Sequence, residues 1–169
     1  VADDLDDRIG LIVDGGRCRI GLESTIVAVD GSRLRLLRPG GIPVEAIETA
    51  AGAALERPMQ QAGGVVVAPG MLASHYAPRA TLRLNASDVR ANEAVIRFGG
   101  TPLRGEDQAK AVMDLSPSGD LREAAANLFA LLKRADAAGA GGIAVAAIPM
   151  NGLGEAINDR LSRAAAPRN

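Results

Sequence analysis

Near the middle of the chain runs Ala68-Pro69-Gly70-Met71-Leu72-Ala73-Ser74-His75-Tyr76-Ala77-Pro78, and this stretch limits what the rest can fold into. Each proline fixes its own φ and pushes its predecessor towards extended geometry. The Gly after Pro69 reads as a turn. The segment therefore suits neither a helix interior nor a central strand. Yet it holds the single His and the single Tyr of the 169 residues, beside the apolar Met71 and Leu72. A plain spacer is rich in Gly, Ser and charge. This composition suits an extended arm that lies down on something, with a folded body on either side.

Aromatic residues make up 2% of the chain, so the core must be assembled from Val, Leu, Ile and Ala with closely packed elements. The net charge is −1 and the two lysines are Lys110 and Lys133. Charge-driven nucleic-acid binding needs clustered Lys and Arg and is disfavoured here. One cysteine, Cys18, excludes an internal disulfide and a cysteine-rich zinc site, and it reads as a small buried hydrophobe. With a single His as well, no metal cluster can be drawn from nitrogen and sulfur ligands. No run has the length of a membrane span and no signal peptide is visible, so a cytoplasmic protein without membrane partners is expected. The first residue is Val1, which suggests a piece of a longer protein.

Read in order, Arg8–Val13 is a short apolar run ended by the turn signal Asp14-Gly15-Gly16. Ser24–Val29 is β-branched and apolar, a strand. Asp30-Gly31 marks a hairpin into Arg33-Leu34-Arg35-Leu36-Leu37, whose alternation suits a strand with one wet face. Arg38-Pro39-Gly40-Gly41 closes it. Pro43 suits the first position of a helix with Val44, Ile47, Ala50 and Ala51 on one face, capped by Gly52 in αL. Residues 53–67 have mixed character. Beyond the arm, Thr81–Leu84, Ala94–Phe98, Ala111–Leu115 and the continuous apolar run Ile143–Ile148 read as strands. Leu121, Ala124, Ala125, Leu128, Leu131, Leu132 and Ala135 trace a helix capped by Ser118 or Asp120. Leu153, Ala156, Ile157, Arg160 and Leu161 mark the last helix. This order implies an α/β architecture with a parallel sheet. The expected divisions are 1–52, 53–79 and 80–169.

Few residues are placed to carry chemistry. Glu23-Ser24-Thr25 lies where loop becomes strand, and its hydroxyls could donate to a carboxylate or phosphate or satisfy their own backbone. Arg38 ends the next strand, where α/β ligands gather. Followed by a rigid Pro and two Gly, it could hold its fork towards an anion or be a surface arginine beside a turn. His75 and Tyr76 could dock the arm or point their polar tips at water. Gly152-Leu153-Gly154 before the last helix reads as a turn with close backbone packing, lacking the third glycine of a dinucleotide fingerprint.

Taken together, Asp14-Gly15-Gly16, Gly21-Leu22-Glu23-Ser24-Thr25-Ile26-Val27, Leu37-Arg38-Pro39-Gly40-Gly41-Ile42, Ala68-Pro69-Gly70-Met71, His75-Tyr76-Ala77-Pro78 and Gly152-Leu153-Gly154-Glu155-Ala156-Ile157-Asn158-Asp159-Arg160-Leu161 resemble the two-domain threonylcarbamoyl-AMP synthases. The resemblance covers nearly the whole chain, as the C-terminal portion of such an enzyme. It implies the end of a YrdC-like α/β domain, an extended linker and a small Rossmann-like domain. It implies a nucleotidyltransferase that makes threonylcarbamoyl-AMP and pyrophosphate from L-threonine, bicarbonate and ATP, with Mg2+ accompanying the nucleotide, for tRNA modification alongside partner proteins of that pathway. Ser24 then matches the contact to L-threonine and Arg38 the contact to ATP. His75 and Tyr76 become lid contacts of the linker. No catalytic side chain is assigned. The linker departs from the family in reading Leu72-Ala73-Ser74 where many relatives carry Lys-Tyr-Arg. The family's basic phosphate-holding motif is expected before Val1, so the fragment alone is expected to be inactive. A competing expectation is a non-catalytic module that gates a YrdC-like domain supplied elsewhere.

Overall fold

The computed structural model describes Leu5 and residues 8–16, 18–57 and 78–167. Most of the proline-bracketed arm, with His75 and Tyr76, lies outside the described residues. Gly31-Ser32 turns the chain between β1 (Ile26–Asp30) and β2 (Arg33–Arg38), with Gly31 at φ 59°. Asp30, expected in the turn, is the last residue of β1 and pairs with Arg33, because Gly at the first position of a two-residue loop already supplies the positive φ the hairpin needs. The strands pair antiparallel, and the register shifts between Ile26 and Val27, which face Arg38 and Leu36 respectively. Such a bulge bends a strand and re-aims its side chains. Pro43 is the residue before helix α1 (Val44–Ala51), which Gly52 closes at φ 64°. Val44 is buried and Ile47 half-buried, but Ala50 and Ala51 are exposed. The expected apolar face is thus only two residues deep, because the core beneath it is small. Leu55–Glu56 form a short strand, β3, parallel to β2, where the sequence suggested no element. Two residues are too few to show a period.

The second sheet has the order β4-β7-β5-β6, all parallel: β4 (Thr81–Arg83), β5 (Glu93–Arg97), β6 (Val112–Asp114) and β7 (Gly142–Val145). Helix α2 (Leu121–Ala137) connects β6 to β7, and α3 (Leu153–Ala165) follows β7. Asp120 caps α2 by accepting from the amides of Arg122 and Glu123; Ser118 does not take that role. The expected strand–helix alternation holds only in this later part. Between β4 and β5 the chain has no helix, and between β5 and β6 it has one 3-10 turn, Glu106–Gln108. These loops cover the second face of the sheet. Ala94, Ile96, Ile143 and Val145 point to the helices, while Val95 and Ala144 meet Ala86 and Leu103 on the loop side. The run Ile143–Ile148 therefore is apolar because both faces are covered, though its strand ends at Val145. Cys18 is exposed, against the expected buried position. A lone small side chain follows whatever its segment does, and residues 9–16 form neither helix nor strand.

The two bodies touch. Leu22 packs against the large core, and a Cβ on Gly21 would lie 2.5 Å from the carbonyl oxygen of Ala125 in α2. No described helix is long and apolar enough to cross a membrane.

Candidate functional site

Ser24 and Arg38 are brought together. Arg38 lies on the inward face of β2 with Leu34 and Leu36 and is 7% exposed. A buried guanidinium must find acceptors. Its Nη2 and Nε donate to the Ser24 carbonyl oxygen at 2.9 and 3.3 Å, and Nη2 lies 3.4 Å from Ser24 Oγ. Ser24 is exposed, so its hydroxyl is presented at the surface directly above a buried positive charge.

The loops that carry these two residues are pressed against each other. The Gly41 amide donates to the Glu23 carbonyl at 2.8 Å. A Cβ on Gly40 would lie 2.3 Å from that same oxygen and 2.5 Å from the Thr25 nitrogen. Only glycine allows that approach. The Thr25 hydroxyl donates to the Ile42 carbonyl at 2.7 Å and accepts from the Ile42 amide at 3.1 Å. Thr25 thus ties loop to loop and does not satisfy its own backbone. The arrangement is a small polar ledge at the end of a hairpin. It offers a hydroxyl and the positive field of a positioned guanidinium, which is chemistry for a carboxylate or phosphate.

The last helix closes the ledge from behind. Arg160 is 2% exposed. Its Nε donates to Glu23 Oε2 at 2.8 Å, its Nη2 to the Pro39 carbonyl at 3.2 Å, and its Nη1 contacts Asp159. On sequence alone Arg160 falls on the last helix without a partner. Its signal was an arginine in register with Leu153, Ala156, Ile157 and Leu161, because a charge on a buried face needs an acceptor. Two further ties join α3 to the first body. The Gly152 amide donates to Glu45 Oε1 at 3.1 Å. Arg57 pairs with Glu155 at 3.0 Å. The Glu45 carboxyl is held below the usual range by its own backbone amide, then by that of Gly152 and by the nearby Arg57. The bond to Glu155 raises Arg57 further above its ordinary value. Of Gly152-Leu153-Gly154 only Gly152, at φ 57°, lies in a turn, and Leu153 and Gly154 already open α3; the expected close backbone packing is there, since a Cβ on Gly154 would lie 1.8 Å from the Pro149 carbonyl oxygen.

A family model described as threonylcarbamoyl-AMP synthase, C-terminal domain, matches residues 42–166. The chain belongs to that family. It is 33% identical to the threonylcarbamoyl-AMP synthase of Pyrococcus abyssi and 34% identical to that of Bacillus subtilis, over 99% of this chain in each case. It covers 53% and 52% of those proteins, so the chain spans about half the length of the curated relatives it matches. The crystal structure of P. abyssi Sua5 complexed with L-threonine superposes with a TM-score of 0.78 at 32% identity, over 97% of this chain and 52% of that one. A variant of the same protein with an adjacent His–Tyr pair replaced by alanine gives 0.68 at 26% identity, over 96% and 48%. Both comparisons support an α/β fold with one small mixed sheet and one four-stranded parallel sheet.

Proposed function

We propose that this chain is the C-terminal portion of an L-threonylcarbamoyladenylate synthase, with residues 1–52 ending a YrdC-like catalytic domain, 53–79 the linker and 80–169 a Rossmann-like domain. The observation that carries the reading is the joining of Ser24 and Arg38 on one ledge, in a chain that is similar to a protein solved with L-threonine. Ser24 presents its hydroxyl to L-threonine. Arg38 holds the Ser24 backbone in place and directs positive potential towards the nucleotide. L-threonine and bicarbonate form a carbamate with loss of water. The carbamate oxygen attacks the α-phosphate of ATP, and pyrophosphate leaves. Such a reaction requires positioning and charge neutralisation more than a side-chain nucleophile. Among the described residues no group of three or more His, Cys, Asp or Glu could hold a metal ion. A Mg2+ ion accompanying the nucleotide would be held in part by its phosphates. The adjacent pair His75-Tyr76 of the arm is assigned to the linker's contacts with the closed site. The product serves tRNA modification in the cytoplasm.

Pyrophosphate release from ATP with L-threonine and bicarbonate tests this. The 169 residues alone should be silent, and turnover should appear once the rest of the catalytic domain is supplied. Ser24→Ala in the completed enzyme should raise the threonine requirement more than the ATP requirement. Equal shifts would mean that Ser24 acts on the fold and not on threonine.

A further inference from the structure

The motif Gly152-Leu153-Gly154-Glu155-Ala156-Ile157-Asn158-Asp159-Arg160-Leu161 has no part in the chemistry above, yet four of its residues hold polar partners across or beside the ledge. Asn158 Nδ2 donates to the carbonyls of Ile148 at 3.1 Å and Gly154 at 2.8 Å, which fixes the turn that starts α3. Gly154 lets that turn close onto Pro149. Gly152 and Glu155 reach Glu45 and Arg57 of the first body. With the helix start fixed in this way, Arg160, two turns further on, meets the two loops of the ledge.

We propose that Arg160 is a positioning residue for the substrate site, and that the last helix sets the spacing between Ser24 and Arg38. The inference rests on the reading of those two residues given above. Its guanidinium bonds both loops of the ledge, at the residues adjoining Ser24 and Arg38. It bonds the side chain of Glu23, just before Ser24, and the carbonyl of Pro39, just after Arg38. The Glu23 carbonyl in turn receives Gly41, so the Arg160–Glu23 pair braces the Gly40–Gly41 crossing from outside. At 2% exposure the fork is shielded from water, and a shielded planar fork that donates to two acceptors at once is geometrically specific where a point charge is not. A lysine at this position keeps the charge but cannot reach Glu23 and Pro39 together in the same planar geometry. The C-terminal body thereby acts on the site without contributing a group that touches substrate.

The test uses the catalytic domain made whole, with L-threonine binding followed by calorimetry and hydrogen exchange followed at 22–25 and 39–41. Arg160→Lys should weaken L-threonine binding about tenfold, the scale of one charge-assisted hydrogen bond, and raise exchange in both ledge segments. Exchange at 94–96 and 143–145, in the parallel sheet, should stay unchanged. Glu23→Gln should act in the same direction. Should Arg160→Ala fail to fold, the double variant Glu23→Gln with Arg160→Lys keeps the proposal falsifiable: its loss of threonine affinity should be smaller than the two single losses combined, and fully additive losses would overturn the pairing. Unchanged threonine affinity in Arg160→Lys overturns the proposal and leaves the function intact. Absence of threonine binding by the unsubstituted protein overturns the functional reading, and this proposal with it.

Discussion

Ala94, Val95 and Ile96 in the parallel sheet have no exposed surface, and neither do their neighbours Ile143 and Ala144, because helices cover one face and loops the other. In the hairpin body the buried cluster among the described residues is Leu36, Val44 and Leu55. Val29 is 71% exposed there, and Leu11 and Val13 ahead of it are 81% and 84% exposed. Both regions use the same small aliphatic residues, so composition does not explain the difference. The parallel sheet closes on its own helices, whereas the hairpin body takes much of its order from contacts with α3 and from the loop–loop crossing at Gly40. The site sits on the less self-sufficient of the two, which fits the proposal that residues 1–52 end a larger domain and leave part of its apolar face uncovered in this chain.

A cavity on each side is the strongest way to break that contrast. Leu128→Ala, at a fully buried position of α2, should cost about 3 kcal/mol and lower the unfolding midpoint of the whole chain. Leu55→Ala should leave the parallel-sheet transition in place and raise hydrogen exchange only at 34–36 and 55–56. If Leu55→Ala lowers protection in the parallel sheet equally, the two bodies unfold as one unit and the contrast fails.

Gly154→Ala comes next. The added Cβ would meet the Pro149 backbone, and overpacking against backbone costs about 2 kcal/mol. Because α3 carries Glu155 and Arg160, exchange should also rise at the distant residues 22–25. Gly40→Ala, clashing with Glu23 and Thr25, should loosen the hairpin body and leave the parallel sheet's unfolding midpoint alone. Urea unfolding of the two variants side by side separates these outcomes.

The parallel sheet also carries a carboxylate network that the hairpin sheet lacks. Glu93 accepts from Arg83 at 2.7 and 3.0 Å and from the Arg90 amide at 2.7 Å. Its carboxyl is held below the ordinary value, first by Arg83, and the Arg83 bond likewise lowers Asp88. A folded-state value below the unfolded one adds stability at neutral pH. That contribution is complete above the unfolded value of about 4.3 and is lost as pH falls through the folded value. Urea midpoints of the parallel sheet should therefore drop between pH 5 and pH 3 more steeply in the unsubstituted chain than in Glu93→Gln. Parallel curves would show that Glu93 does not govern the acid response.

The smallest effect is expected at the surface of the hairpin sheet. Arg33 and Glu56 lie 3.8 Å apart with side chains 73% and 52% exposed. Glu56→Ala should change stability by less than about 0.5 kcal/mol, and a larger thermal shift would mean β3 is held by charge more than by Leu55.

What the sequence determined by itself is local. The stretch Asp30-Gly31-Ser32 marked a turn because a two-residue hairpin loop favours Gly where φ must be positive, though which two of the three residues form it was decided by the strand register. Ser118 or Asp120 had to cap because helix-start amides lack partners, and the structure places Asp120 there. The stripe from Leu121 to Ala135 could be buried on one face only. The ledge was half legible: Ser24 and Arg38 stood out as a hydroxyl at a strand start and an arginine at a strand end. Their meeting was not legible, nor was the strand order β4-β7-β5-β6, the loop cover over Val95 and Ala144, or the exposure of Cys18. Glu23 and Arg160 are 137 residues apart in sequence, and no short-range rule relates them. Short-range sterics and hydrogen bonds fix elements within a few residues. Which elements meet depends on which apolar faces remain to be covered once all of them have formed, and only then does a buried arginine acquire the acceptors that its position demands.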